Sequence, residues 1–121
     1  MTPSTLETVQ QYQQLLGSGN QAWIDLIADD ISFTGPVEQI NGKADFIALN
    51  TSFFPLVRGY QAISALEQDN QAVLEGEFTV ATPGGNEIQL NIVEIYELAL
   101  GKIQNIRVYY DAEEFRKEFA Q

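Results

Sequence analysis

From residue 86 onward the chain alternates. Ile88, Leu90, Ile92, Glu94, Tyr96 and Leu98 share one parity, and Glu87, Gln89, Asn91, Val93, Ile95 and Glu97 share the other. Side chains on a strand point to opposite faces in turn, so this segment predicts a β-strand with one nearly apolar face. Alternation also covers roughly 57–67, 71–82 and 102–110, and the joining stretches "EQDN", "TPGGN" and "LALGK" have the composition of hairpin turns. On 102–110 the parity sets Ile106, Val108 and Tyr110 toward the interior and Ile103, Asn105, Arg107 and Tyr109 on the outer face.

Before residue 57 the period is helical. Ser4-Thr5-Leu6-Glu7 has capping-box spacing, and the helix it opens carries Leu6, Val9, Tyr12, Leu15 and Leu16 before stopping at "GSGN". Asn20 is placed to cap a second helix with Trp23, Ile24 and Ile27, running to Asp29-Asp30. "ISFTGP" reads as a short strand turned by Gly35-Pro36. After the Asn41-Gly42 turn, "KADFIALNTSFF" sets Phe46, Leu49, Asn50 and Phe53 at helical spacing until Pro55 ends it. Two or three helices followed by four antiparallel strands predict an α+β fold, a single domain over 1–121 with helices on one face of a curved sheet.

The last alternating run passes into "YYDAEEF", which raises the question of whether Asp111 is a cavity carboxylate or a helix cap. Asp111-Ala112-Glu113-Glu114 repeats the capping-box spacing, with Phe115 and Phe119 following at i, i+4. Strand alternation also turns Asp111 away from the side that Tyr110 faces. Both arguments favour the cap.

Composition narrows the chemistry. The 121 residues include 17 acidic and 6 basic side chains, a net charge of −11, with no cysteine and no histidine. Such a surface repels nucleic-acid phosphates and anionic membranes, so neither partner is expected. Thiol nucleophiles, His-based pairs and the usual zinc ligands are excluded, and no metal site, nucleotide motif or other cofactor motif is visible. With no leader pattern at the N-terminus and no apolar run of membrane-spanning length, the expected setting is the cytoplasm.

One charge interrupts the apolar face of 86–98. Glu94 must find a partner there or take up a proton, because an isolated buried carboxylate is costly. The ordinary alternative is a strand bend that returns it to water. On the opposite face Val93 and Ile95 form a small apolar centre, which predicts a homodimer through the outer face of the sheet; exposed β-formers are the plainer reading.

The order of elements, with "VQQYQQLLGSGN", "LIADDISFTGP", "NGKADF" and "VEIYELALGKIQNIRVYYDAEEF", resembles the NTF2-like superfamily. That group includes SnoaL-like polyketide cyclases, ketosteroid isomerases and limonene-type epoxide hydrolases. The resemblance implies a cone in which a curved antiparallel sheet wraps the N-terminal helices around an apolar pocket. It also implies that Tyr12 stands where the isomerases keep an oxyanion-hole tyrosine, and Glu94 where they keep a protonated aspartic acid. Their base aspartate falls at Gly35, and the carboxylate of the cyclases and epoxide hydrolases falls at Val108.

Two functional readings follow, with a third that removes both. The first is an isomerase, cyclase or dehydratase moving a proton next to a carbonyl, with Tyr12 and Glu94 as catalytic oxyanion donors. The second is a non-catalytic module, an apolar ligand carrier or a dimeric adaptor, on the same fold. The candidate residues lining a small apolar molecule are Trp23, Phe33, Phe54, Phe78, Tyr96, Val108 and Tyr110. The third is an interior packed shut by those aromatics and Phe46.

Overall fold

The computed structural model describes residues 4–119. Helix α1 spans Thr5–Gly17, a 3-10 helix spans Gln21–Leu26, and strands β1 (Ile27–Thr34) and β2 (Gln39–Asn41) follow. Helix α2 (Lys43–Phe53) gives way to a 3-10 turn at Phe54–Leu56, where Pro55 stops the α-helix. Strands β3 (Val57–Gln68), β4 (Gln71–Ala81), β5 (Glu87–Ala99) and β6 (Lys102–Tyr109) form the meander, and α3 (Glu113–Phe119) closes the described chain.

The six strands make one unclosed sheet in the order β2-β1-β6-β5-β4-β3. All pairings are antiparallel except β1 with β6, which is parallel. The four meander strands pair antiparallel as their hairpin turns predict, and β1, which precedes α2, runs parallel to the last strand through a crossover connection.

The α1 cap forms as the spacing predicts. Ser4 Oγ accepts from the Glu7 N–H at 3.1 Å, and the Glu7 carboxylate accepts from the Ser4 N–H at 2.8 Å. Thr8, Val9, Tyr12 and Leu16 make the buried stripe of α1. Asn20 also caps, accepting from the Ala22 N–H at 2.9 Å, but the second helix is shorter than its pattern suggests. It ends at Leu26, and Ile27 to Asp30 belong to β1, because Ile27 and Ile31 bury fully against the sheet while Asp29 and Asp30 bulge outward between them.

At the far end Asp111 Oδ1 accepts from the Glu113 N–H at 3.0 Å, so it caps α3. Ile103 departs from the parity reading. It is fully buried and pairs with Leu98, because one extra residue in β6, at the shift between Glu97 and Leu98, switches the side-chain alternation. Among the described residues, no helix is long and apolar enough to cross a membrane.

Candidate functional site

The concave face of the sheet, α1, α2 and the start of α3 enclose a cavity of about 430 Å³. The interior is therefore not packed shut. Phe33, Phe54, Phe78, Tyr96, Val108 and Tyr110 are among its lining residues. Trp23 is not. Its ring packs edge-on to Tyr12 and Phe46 with centroids 6.0 and 6.1 Å away, and at 3% exposed it is a core residue.

Glu94 projects from the interior face of β5 into this space, as the alternation requires. Its two carboxylate oxygens are held separately. Gln13 Nε2 donates to Oε1 at 3.0 Å, and the Tyr96 hydroxyl, two residues along the same strand face, donates to Oε2 at 3.0 Å. Gln13 Nε2 also lies 3.5 Å from the Tyr96 oxygen. Burial among apolar walls pushes the Glu94 carboxyl from 4.5 up to about 7, and the hydrogen bonds from Tyr96 and Gln13 offset only part of that. Glu94 is half-buried by surface area, and since it is a lining residue its remaining surface faces the cavity.

Tyr12 lines the same cavity from α1, but its oxygen is bound elsewhere. Asn50 Nδ2, from α2, donates to it at 3.4 Å, while Glu94 is engaged by Tyr96 and Gln13. The Tyr12 and Tyr96 rings meet edge to face with centroids 6.0 Å apart. Burial raises the Tyr12 phenol strongly, with the neighbouring Glu94 charge adding to it, and the Asn50 hydrogen bond opposes both. Tyr12 thus stays a neutral O–H donor. The two proposed oxyanion donors share one cavity without bonding to each other.

Sequence reasoning did not single out the polar lining residues Gln13, Glu38, Asn50 and Tyr60. Gln13 sits one helical turn from Val9 and Leu16, on the flank of the α1 stripe, so helical spacing could have drawn attention to it. Asn50 stood out only as a polar residue at apolar spacing. Tyr60, on edge strand β3, has its ring 4.6 Å from that of Phe78. Its phenol is raised by burial and then by Glu94, with Gln13 lowering it, which places it beside the same carboxyl.

The lining also holds Gly35, Val37, Glu38, Arg58, Tyr110 and Phe115. Gly35 and Val108, at the base positions implied by the resemblance, both line the cavity, and neither offers a titratable group. Glu38 is the other carboxylate in the lining. Tyr110 is raised by burial and by Glu38, while Arg116 lowers it. Among the described residues no group of three or more acidic side chains could hold a metal ion.

The sequence matches a family model described as the SnoaL-like domain over residues 9–106. The chain belongs to the SnoaL-like family. No curated protein matches it. Among solved structures it is similar to an NTF2-like protein of unknown function from Burkholderia pseudomallei K96243, at 15% identity, covering 97% of this chain and 98% of that one with a TM-score of 0.83. A protein from Jannaschia sp. CCS1, provisionally described as a SnoaL-like polyketide cyclase, gives 16% identity, coverage of 96% and 91%, and a TM-score of 0.80. One from Rhodopseudomonas palustris, provisionally described as an isomerase, gives 17% identity, 92% of both chains and a TM-score of 0.74. At these identities the likeness establishes the NTF2-like fold of this SnoaL-like domain.

Proposed function

We propose that this SnoaL-like domain binds a small, mostly apolar carbonyl compound and moves a proton next to the carbonyl, as an isomerase, cyclase or dehydratase does. The observation that carries the reading is Glu94: a carboxyl inside an apolar cavity, raised to about 7, that is substantially protonated at neutral pH. In that form it donates a hydrogen bond to the ligand oxygen, and Tyr12 O–H is the second donor. Both strengthen as negative charge develops on that oxygen. Glu38, the other lining carboxylate, is the group left to accept the carbon-bound proton.

Deuterium uptake tests this without knowledge of the natural substrate. Cyclic ketones and 1,3-diketones incubated in heavy water with the protein should exchange their α-protons faster than in buffer. Glu94→Gln and Glu38→Gln should each slow that exchange by about a hundredfold. Exchange unaffected by Glu94→Gln would remove Glu94 from acid–base work.

A second reading, a carrier that binds without turnover, is favoured by one observation. At Gly35 and Val108 the resembled enzymes would hold carboxylates, and here a glycine packs against a valine. Binding of the same ketones with no exchange in the unaltered protein would select it. We also propose that the domain pairs with a second copy through the outer sheet face around Val93 and Ile95, supported by two apolar side chains that the monomer leaves half-buried.

A further inference from the structure

Two irregularities of the sheet converge on Tyr60. Carried without interruption from the Gln68–Gln71 pair, the β3–β4 register would set Tyr60 opposite Thr79, on the outer face. The register shift between Ala62 and Ser64 sets it opposite Phe78 instead, on the cavity face. The residue passed over by that shift, Ile63, stays 55% exposed. The second irregularity is Gly76, buried on the interior face of β4. A Cβ there would stand 2.4 Å from Tyr60 Cε1 and 2.7 Å from its hydroxyl oxygen. The ring lies diagonally across the spot where any other residue would place its side chain. From Gly76 the neighbouring strand leads to Ile92 and on to Glu94, so the phenol crosses the sheet toward the carboxyl.

We propose that Tyr60, seated over Gly76, is a positioning and specificity residue of the cavity: it forms the solvent-side wall at the carboxyl end and presents its O–H to the ligand oxygen. The side chain is 41% exposed, so it separates the cavity from water rather than filling the core. Its neighbours there are the Phe78 ring on β4, 4.6 Å away, and Glu94 and Gln13, both of which act on its phenol. A flat apolar ligand would slide against the Tyr60 and Phe78 rings with its oxygen toward Glu94. This rests on the cavity being a ligand site, and the test separates the two.

The probe is N-phenyl-1-naphthylamine, a neutral flat fluorophore, read together with the Glu94 titration followed by carbon-13 NMR of labelled glutamate carboxyls. Tyr60→Ala should weaken the probe about tenfold, the upper end for losing one aromatic wall, and should move the Glu94 midpoint down from about 7 as water reaches the carboxyl. Gly76→Ala should do the same by expelling the ring, and should add little in the Tyr60→Ala background, because both changes remove one wall. Tyr60→Phe should keep the probe affinity and shift only oxygen-bearing analogues such as 1-naphthol. Additive effects of Gly76→Ala and Tyr60→Ala, or a Glu94 midpoint unmoved by Tyr60→Ala, would overturn the proposal. Failure of the unaltered protein to bind the probe would count against the cavity as an apolar ligand site, while the NMR arm would still decide the role of Tyr60.

Discussion

The Cβ that Gly35 lacks would stand 2.9 Å from Val108 Cγ2. The end of β1 and the end of β6 therefore approach so closely that a methyl group on one displaces a methyl group on the other. Val108 is 8% exposed and cannot swing into water without uncovering the cavity. Gly35→Ala should destabilise the fold by about 1–3 kcal/mol, the usual cost of overpacking. Val108→Ala should cost about 1–2 kcal/mol for its two lost methyl groups. The double variant should cost clearly less than the sum, because the second change makes room for the first. Urea unfolding midpoints of the four proteins check this. Strict additivity would mean that the Gly35 turn yields freely.

Glu94 makes stability depend on pH in an unusual direction. Its carboxyl has a folded value of about 7 against an ordinary 4.5. Between those values the folded chain holds a proton that the unfolded chain has released, so stability falls as pH rises through the window and levels off above about 7. The difference corresponds to about 3 kcal/mol of penalty at alkaline pH and almost none near pH 4. Glu94→Gln keeps the shape and removes the charge. It should therefore raise stability at about pH 8 and leave it nearly unchanged near pH 4. Melting temperatures at both pH values provide the comparison, and an equal shift at both would contradict a buried titrating carboxyl.

Gln13 holds the same carboxyl from the opposite side. Its donated hydrogen bond at 3.0 Å favours the charged form and pulls the Glu94 value down. Gln13→Leu removes the donor and adds apolar surface, so the Glu94 midpoint should climb above about 7. Tyr96→Phe should act in the same direction by freeing Oε2. Carbon-13 NMR of the glutamate carboxyls measures the shift. A fall in either variant would show that water enters once the partner is gone.

What the sequence makes legible follows from which periods stay unbroken. Strand β5 runs without a bulge against β4, so counting by twos from Ile88 places Glu94 and Tyr96 in the interior correctly. The α1 cap and the Asp111 cap are local hydrogen bonds; the first forms the full box that its spacing predicts, and the second forms as a cap two residues on, to the Glu113 N–H. Ile103 departs from its parity because it lies beyond a bulge, where one inserted residue reverses the assignment of faces, and the bulge in β3 hides the inward turn of Tyr60 in the same way. Strand β2 has three residues, too few for any period to show. Tyr60 carries a second obstacle, since β3 is an edge strand largely exposed on both faces and its pattern has no polar side to contrast with. Trp23, on the short 3-10 helix, packs edge-on to Tyr12 and is not among the residues that line the cavity, a difference that helical spacing alone does not reveal.

Assembly is the remaining proposal that a single pair of side chains can test. Val93 and Ile95 lie on the outer face of β5, with Val93 beside Glu75 and Tyr109, and Ile95 beside Val73 and Arg107. Tyr109 is 55% exposed there, and Arg107 is tied to Glu97 at 2.8 Å, so the patch is an apolar centre with a charged rim. Each copy carries a net charge of −11, and pairing must work against that repulsion. Salt screens charge over about 10 Å at 0.1 M, so dimerisation should tighten as salt rises, the opposite of an interface held by ion pairs. Val93→Asp with Ile95→Asp puts two carboxylates at the centre, where burying them unpaired costs several kcal/mol, and should leave a folded monomer at every salt concentration. Sedimentation equilibrium of both proteins at low and high salt makes the comparison. An unaltered chain that stays monomeric throughout would reject the outer face as an interface between copies.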